Sequence, residues 1–204
     1  MVKYHRLELE TYIKLKPYFL YMLQPIPIDV KSPLIIQKMV DASSKAGVGP
    51  MASVAGAIAD LAVEAMMKAK PQVAIVEDGG EVSAISKKPF ITSLYAGQNI
   101  LGYNIGFKIF PTDCPIGIAT SSATISHAIS FGEADAVTVF AYNAALADAA
   151  ATAVCNSVIG EDIVKSINLG LKIVKRMPFV RGALLVRGSH VGSIGWIPKF
   201  VNID

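Results

Sequence analysis

The chain has 204 residues, of which 52% are hydrophobic and 17% charged, and a net charge of +3. That is enough apolar material for one substantial core, and it excludes intrinsic disorder. Glycine (16) and proline (11) stay near ordinary usage, which excludes collagenous and low-complexity chains.

The length sets an expectation of one domain spanning 1–204 that needs neither disulfides nor a structural metal. A mean hydropathy of +0.47 raises the question of a membrane. The longest apolar stretches, 46–67 and 134–160, carry Asp60 and Glu64 in one and Asp135 and Asp148 in the other. Both are rich in alanine and glycine, so neither offers roughly 20 strongly apolar residues in a row. Met1 to Lys16 interleaves Lys3, Arg6, Lys14 and Lys16 with Glu8 and Glu10, unlike a signal peptide. Cys114 and Cys155 match no zinc spacing. A cytoplasmic protein without a membrane partner is expected, its surplus hydrophobicity serving the subunit interfaces of a homo-oligomer.

Charge is unevenly spread. No Lys or Arg occurs between Lys108 and Lys165, whereas seven basic residues and no acidic one follow from Lys165 to Lys199. This basic stretch has only Phe179, Trp196 and Phe200 beside it, so a nucleic-acid partner is not expected.

In chain order, Ser32-Pro33 reads as a helix entry, with serine as N-cap and proline at the first helical position, ahead of a helix over Leu34 to Lys45. Gly47-Val-Gly-Pro50 stops it and opens a second, small-residue helix from Met51 to Lys70, ended by Pro71. The runs 72–76 and 82–86 around Gly79-Gly80 predict a hairpin. Strands follow over 90–95, 103–110, 116–120 and 135–142. Helices are expected over 144–158, from alanine content, and 162–175, from periodicity; a hairpin over 183–186 and 193–197 closes the pattern. The fold class is therefore α+β, with mostly antiparallel or mixed sheets packed with helices.

Three segments carry candidate chemistry. The glycine-rich turn Ala46-Gly-Val-Gly-Pro50 enters a helix whose free N–H groups suit a phosphate, although glycine and alanine also permit tight packing. Gly117-Ile-Ala-Thr-Ser-Ser-Ala-Thr-Ile-Ser-His127 runs into Thr120, Ser121, Ser122 and Thr124, short donors suited to phosphate or ribose oxygens where Lys and Arg are missing. The same hydroxyls could be local caps, and His127 a satisfied core histidine. No Gly-x-Ser-x-Gly elbow supports a serine hydrolase. Asp148 and Thr152 lie at i and i+4 in an alanine helix, placing a carboxylate and a hydroxyl on one face. Hard oxygens at this spacing suit Mg²⁺, completed by carbonyls, water and a ligand phosphate; the other reading is an exposed polar stripe.

Taken together, Ala46 to Asp60, Gly79-Gly80-Glu81, Gly117 to Gly132 with Ala134 to Val137, and Ala147 to Thr152 strongly resemble a family of archaeal and bacterial proteins within the ApbE superfamily of FAD:protein FMN transferases. The resemblance implies an ApbE-like layered fold and a Mg²⁺-dependent site for FAD or FMN. Asp148 and Thr152 match the magnesium-ligating Asp and Thr, and Gly56-Ala57-Ile58-Ala59 matches the Gly-Ala-Ile-Ala helix start. Gly79, Gly80 and Glu81 match a Gly-Gly-Asp turn lining the flavin pocket, and Thr120-Ser121 matches a Thr-Ser pair beside it. His127 corresponds to a histidine after the Thr-Ser-Gly segment, so Asp148 and His127 are the catalytic candidates.

The chain also departs from the transferases. Asp60 stands where they have lysine, Ala123 and Thr124 where they have an Asp and arginines, and Asp78 and Glu81 where they have Asn and Asp. The family's N-terminal hairpin is missing or truncated before Tyr4. These departures leave two expectations: a flavin or nucleotidyl transferase or hydrolase, or a non-catalytic flavin- or small-molecule-binding protein on the same fold. To separate them, Asp60→Lys is expected to raise affinity for a flavin dinucleotide while the unmodified chain shows little or no FMN transfer.

Overall fold

The computed structural model describes residues 1–93, 105–123 and 131–203. Five helices occur among them: α1 (Val2–Leu15), α2 (Leu34–Ala46), α3 (Val54–Met67), α4 (Ala144–Ser157) and α5 (Ile163–Val174). The nine strands are β1 (Val73–Asp78), β2 (Glu81–Ser86), β3 (Phe90–Ser93), β4 (Ile105–Ile109), β5 (Ile116–Ser121), β6 (Ala136–Ala141), β7 (Val180–Arg187), β8 (His190–Gly195) and β9 (Lys199–Asn202).

β1, β2, β5, β6, β7 and β8 form one sheet in that order, and β3, β4 and β9 a second; every pair is antiparallel. The fold is α+β, as its sequence pattern implies. Alternation along the strands sorts the two faces of the large sheet. On β5, Ile116 and Ile118 join Phe107, Ile109 and Phe140 in a core beneath the small sheet, while Ala119 joins Val137, Val139 and Leu185 under the helices. α3 lies on β1 and β2, α4 on β5 and β6, and α5 on β7 and β8.

The β1–β2 turn is built from its glycines. Asp78 pairs with Glu81 across Gly79-Gly80, and both glycines have positive φ, +70° and +110°. A two-residue hairpin turn of this hand requires that conformation at both central positions. Gly47, at φ +77°, likewise ends α2 in the left-handed conformation.

Several boundaries differ from the sequence pattern. Pro33, not Ser32, is the N-cap of α2: its extended backbone (ψ 150°) starts the helix at Leu34, and the Ser32 hydroxyl donates instead to the Asp29 carbonyl. A 3₁₀ turn, Pro50–Ser53, precedes α3, which ends at Met67. α1 and β9 have no counterpart in the predicted elements. α1 buries only His5 and Leu9, too few positions to leave a helical hydrophobic period. The stretch Pro50–Met67 is long and apolar enough to cross a membrane by length and composition, but 56% of it is buried inside the fold.

Candidate functional site

Two helices cap each other. Every helix start leaves backbone N–H groups without an intrahelical acceptor. In α3 one of these is Gly56 N–H, which donates to Asp148 Oδ2 of α4 at 3.0 Å. In α4 they are Ala144 and Ala145 N–H, which donate to the two carboxylate oxygens of Asp60 of α3 at 2.9 and 3.0 Å. Ser83 of β2 adds its hydroxyl to Asp60 at 2.7 Å, and Asn143 takes Leu146 N–H at 2.9 Å. Each carboxylate also meets the positive end of the neighbouring helix dipole.

This arrangement needs the two helix starts to approach closely, and glycine permits it. A Cβ at Gly56 would lie 2.3 Å from the Ala144 carbonyl oxygen, and one at Gly117 of β5 would lie 1.9 Å from the Asn143 carbonyl carbon. Gly56 is thereby buried, and Ala57 has no exposed surface. Both are expected from the sequence to line the cofactor pocket; in the structure they are buried in the helix contact that presents Asp148. The glycine-rich turn before α3 is closed in the same way. Val48, Gly49 and Pro50 are buried, and a Cβ at Gly49 would overlap the Met22 carbonyl. Tight packing is the reading that holds for this turn.

The helix-facing side of β2 brings Glu81 towards Asp148. Glu81 is 9% exposed, and burial, then the charge of Asp148, then those of Asp78 and Glu77, push its carboxyl up to about 9 against the partial relief of its own backbone N–H. Asp148, half-buried, is raised to about 7 by loss of water and by Asp78 and Asp60, with Gly56 N–H pulling the other way. Burial also raises Asp60, opposed first by the Ser83 hydroxyl and then by the helix N–H groups and Lys38. Asp60 is already satisfied by its three donors, whereas Glu81 and Asp148 lie close together with little water and favour the protonated form unless a positive charge is near.

Thr152, half-buried, lies one turn beyond Asp148 on the same face of α4. Among the described residues no group of three or more His, Cys, Asp or Glu converges to hold a metal. Asp148 and Thr152 therefore supply two oxygen donors. This suits Mg²⁺, which keeps several waters and takes the rest of its shell from a phosphate, and it does not suit zinc.

The hydroxyl segment divides between faces. Thr120 shares the Thr138 side of the sheet, and the two hydroxyls are 2.9 Å apart, so Thr120 is turned from the helix layer and already has a partner. Ser121 alternates to the helix side, half-buried, and Ser122 is 7% exposed. Thr124 and His127 lie outside the described residues. Gly79 and Gly80 form the exposed hairpin tip next to Glu81, and Gly80 N–H is held by Glu77 Oε1 at 2.6 Å.

Glu81, beside the Gly79-Gly80 tip, thus lies within electrostatic reach of Asp148, Thr152 follows one turn further along α4, and Thr120 faces the other side of the sheet. Sequence reasoning missed Ser83, the packing role of Gly117 beneath α4 and the capping role of Asp60. The Ser83–Asp60 contact spans 23 residues and has no local pattern to reveal it.

A family model described as "AbpE bacteria" matches residues 1–169. A UPF0280 protein of Methanosarcina barkeri is 41% identical over the whole chain, which covers 79% of that protein. One of Methanocaldococcus jannaschii is 43% identical over 98% of the chain and 82% of its own length. Among solved structures, the ApbE protein of Thermotoga maritima aligns over 72% of this chain at a TM-score of 0.52 and 18% identity. The apo flavinyl transferase ApbE of Pseudomonas stutzeri aligns over 72% at 0.50 and 19%. The chain spans about half the length of these two structures, 50% and 48%. By its matched model and by its likeness to relatives along its full length, the chain belongs to the AbpE bacteria family of UPF0280 proteins, and it has the ApbE fold.

Proposed function

We propose that this chain binds a flavin nucleotide, FAD or FMN, through Mg²⁺ held by Asp148 and Thr152. The observation that carries the reading is the crowding of carboxyls beside the Gly79-Gly80 turn, where burial and neighbouring acids (Asp148 for Glu81, Asp78 and Asp60 for Asp148) raise both groups, a cost that a bound cation would relieve. Asp148 has Oδ2 engaged by Gly56 N–H, and no hydrogen bond to Oδ1 occurs among the described residues. Bound Mg²⁺ would offset and polarise a phosphate oxygen. The residues of the chain orient the site: Gly56 fixes the carboxylate rotamer, Thr152 offers a second oxygen, and Gly79-Gly80 lets a planar group approach a backbone without side chains. Ser121 and Ser122, with Thr124 and His127 following them, are the proposed donors to the rest of the ligand.

On this reading the chain is a small-molecule nucleotide or flavin protein of the cytoplasm, assembled as a homo-oligomer. Exposed apolar residues such as Leu7 (61%), Leu15 (77%) and Tyr21 (75%) support assembly, which light scattering tests directly.

A second reading, binding without turnover, is favoured by the state of the cations. Arg181 lies over the Trp196 ring at 4.0 Å and donates to the Asp113 carbonyl, while Arg187 is held by Gly160, Ser166 and Glu133. Neither is spare for a diphosphate. Mass spectrometry of an acceptor peptide containing threonine, incubated with FAD and Mg²⁺, separates the two readings. A covalent FMN adduct with release of AMP establishes transfer. Ligand retention without an adduct establishes binding alone.

A further inference from the structure

We infer that the groove between α5 and the free edge of β8 docks an extended, acidic peptide segment, which adds a strand to the large sheet. This surface is independent of the Asp148 site, three strands away across the sheet order.

β8 is the last strand of the six, paired on one side with β7 and on the other with no strand among the described residues. Beside it runs a groove of about 820 Å³ walled by α5, with Ser193 and Ile194 of β8 on its floor. Gly192 sets the spacing: a Cβ there would lie 2.4 Å from an Ile167 side-chain carbon, so its absence lets α5 sit close over the edge strand.

The wall is basic. Lys165, Lys172 and Lys175 are exposed along one stripe of α5, and none forms an ion pair among the described residues. The one acid lining the groove, Asp162, already accepts Lys165 N–H as the α5 N-cap. The other two basic side chains rising from the sheet nearby, Arg181 and Arg187, are held internally, so the positive charge that this groove offers comes from the three α5-side lysines.

Edge strands are commonly shielded from partners by charge or proline within the strand itself. β8, His190-Val-Gly-Ser-Ile-Gly195, has no lysine, acid or proline. Its lysines stand instead on the neighbouring helix, where they face whatever lies on the edge. An added strand presents side chains on one face at steps of about 6.8 Å, and the ten helical steps from Lys165 to Lys175, the C-cap of α5, span about 15 Å. Acidic residues at alternate positions therefore meet the lysines in turn, while the apolar Val164, Leu169 and Ile194 take intervening contacts. Main-chain hydrogen bonds to the edge give affinity, and the lysines select the sign of charge.

The test is fluorescence anisotropy of the full chain with a labelled eight-residue peptide of alternating valine and glutamate. Binding is expected, weakened at least tenfold by Lys172→Glu with Lys175→Glu, two exposed sites whose reversal leaves the melting temperature in place. N-methylation of alternate peptide bonds, tried in both phases, should abolish binding in one phase. Several results overturn the proposal: no binding up to about a millimolar, an undiminished response to the N-methylated peptides or the reversed lysines, or equal binding by a single-stranded oligonucleotide that displaces the peptide. Self-association of the free chain that the lysine reversals dissolve would assign the groove to a second copy, and would also overturn it.

Discussion

Three donors, two helix N–H groups and the Ser83 hydroxyl, converge on the Asp60 carboxylate, which is 4% exposed. This geometry replaces the expectation that a lysine here would improve flavin binding. Asp60→Lys would put an ammonium against the positive end of α4 and leave three donors without an acceptor. It should destabilise the fold by about 3–5 kcal/mol, the range for breaking a buried charged network. Asp60→Asn keeps one acceptor and should lose less, and urea denaturation of both variants measures the difference. Glu81 makes a pH prediction. Its folded carboxyl is pushed up to about 9 from an ordinary value of 4.5, so the folded state holds the proton more tightly than the unfolded one. Stability from this residue is complete below about 4.5 and is lost as pH rises towards 9, with a slope of at most about 1.4 kcal/mol per pH unit for one proton. Melting temperatures in metal-free buffer should therefore fall from pH 5.5 to 8.5, and Glu81→Gln should flatten the trend. A slope that survives the substitution would assign it to other groups.

At the scale of elements, the α3–α4 contact decides where Asp148 stands, and Gly117 beneath it is the sharpest point of control. A Cβ at this position overlaps the Asn143–Ala144 backbone, which cannot swing away like a flexible side chain. Gly117→Ala should lift the start of α4, lengthen the Gly56–Asp148 hydrogen bond and destabilise the chain by about 1–3 kcal/mol, the usual range for overpacking. Hydrogen exchange at the α4 N-terminus, faster in the variant, checks where the loss falls. The elements legible in the sequence are those whose signal is local: the Gly79-Gly80 hairpin, the strands around Ile116–Ser121 and Ala136–Ala141, and the periodic helix α5. The elements that escaped rest on distant partners. β9 exists because Phe200 pairs with Phe107, far away in sequence. The candidate site divides in the same way. The i, i+4 spacing gives Asp148 and Thr152, whereas the facing of Thr120 and the capping role of Asp60 depend on sheet register and helix packing, which no single segment encodes.

For the whole molecule, the Mg²⁺ reading makes a prediction that stability alone can test. A ligand that binds only the folded state stabilises it by about 2.7 kcal/mol at a hundredfold excess over Kd. In a chain of this length each kcal/mol moves the melting temperature by about 2–4 °C, so saturating Mg²⁺ should raise it by roughly 5–10 °C. Asp148→Ala should abolish the rise. That variant also leaves Gly56 N–H without its acceptor, which lowers the starting stability, so the informative quantity is the metal-dependent shift and not the melting temperature itself. Asp148→Asn separates the effects: its amide oxygen can still accept the Gly56 N–H, but it brings no charge to a cation. The metal shift should therefore vanish in both variants while the asparagine form stays closer to wild type without metal. Thr152→Val, which keeps the shape and removes the hydroxyl, should reduce the shift without erasing it. An equal Mg²⁺ response in wild type and Asp148→Asn would move the cation away from α4, and the flavin proposal would then lose the one charged anchor it has among the described residues.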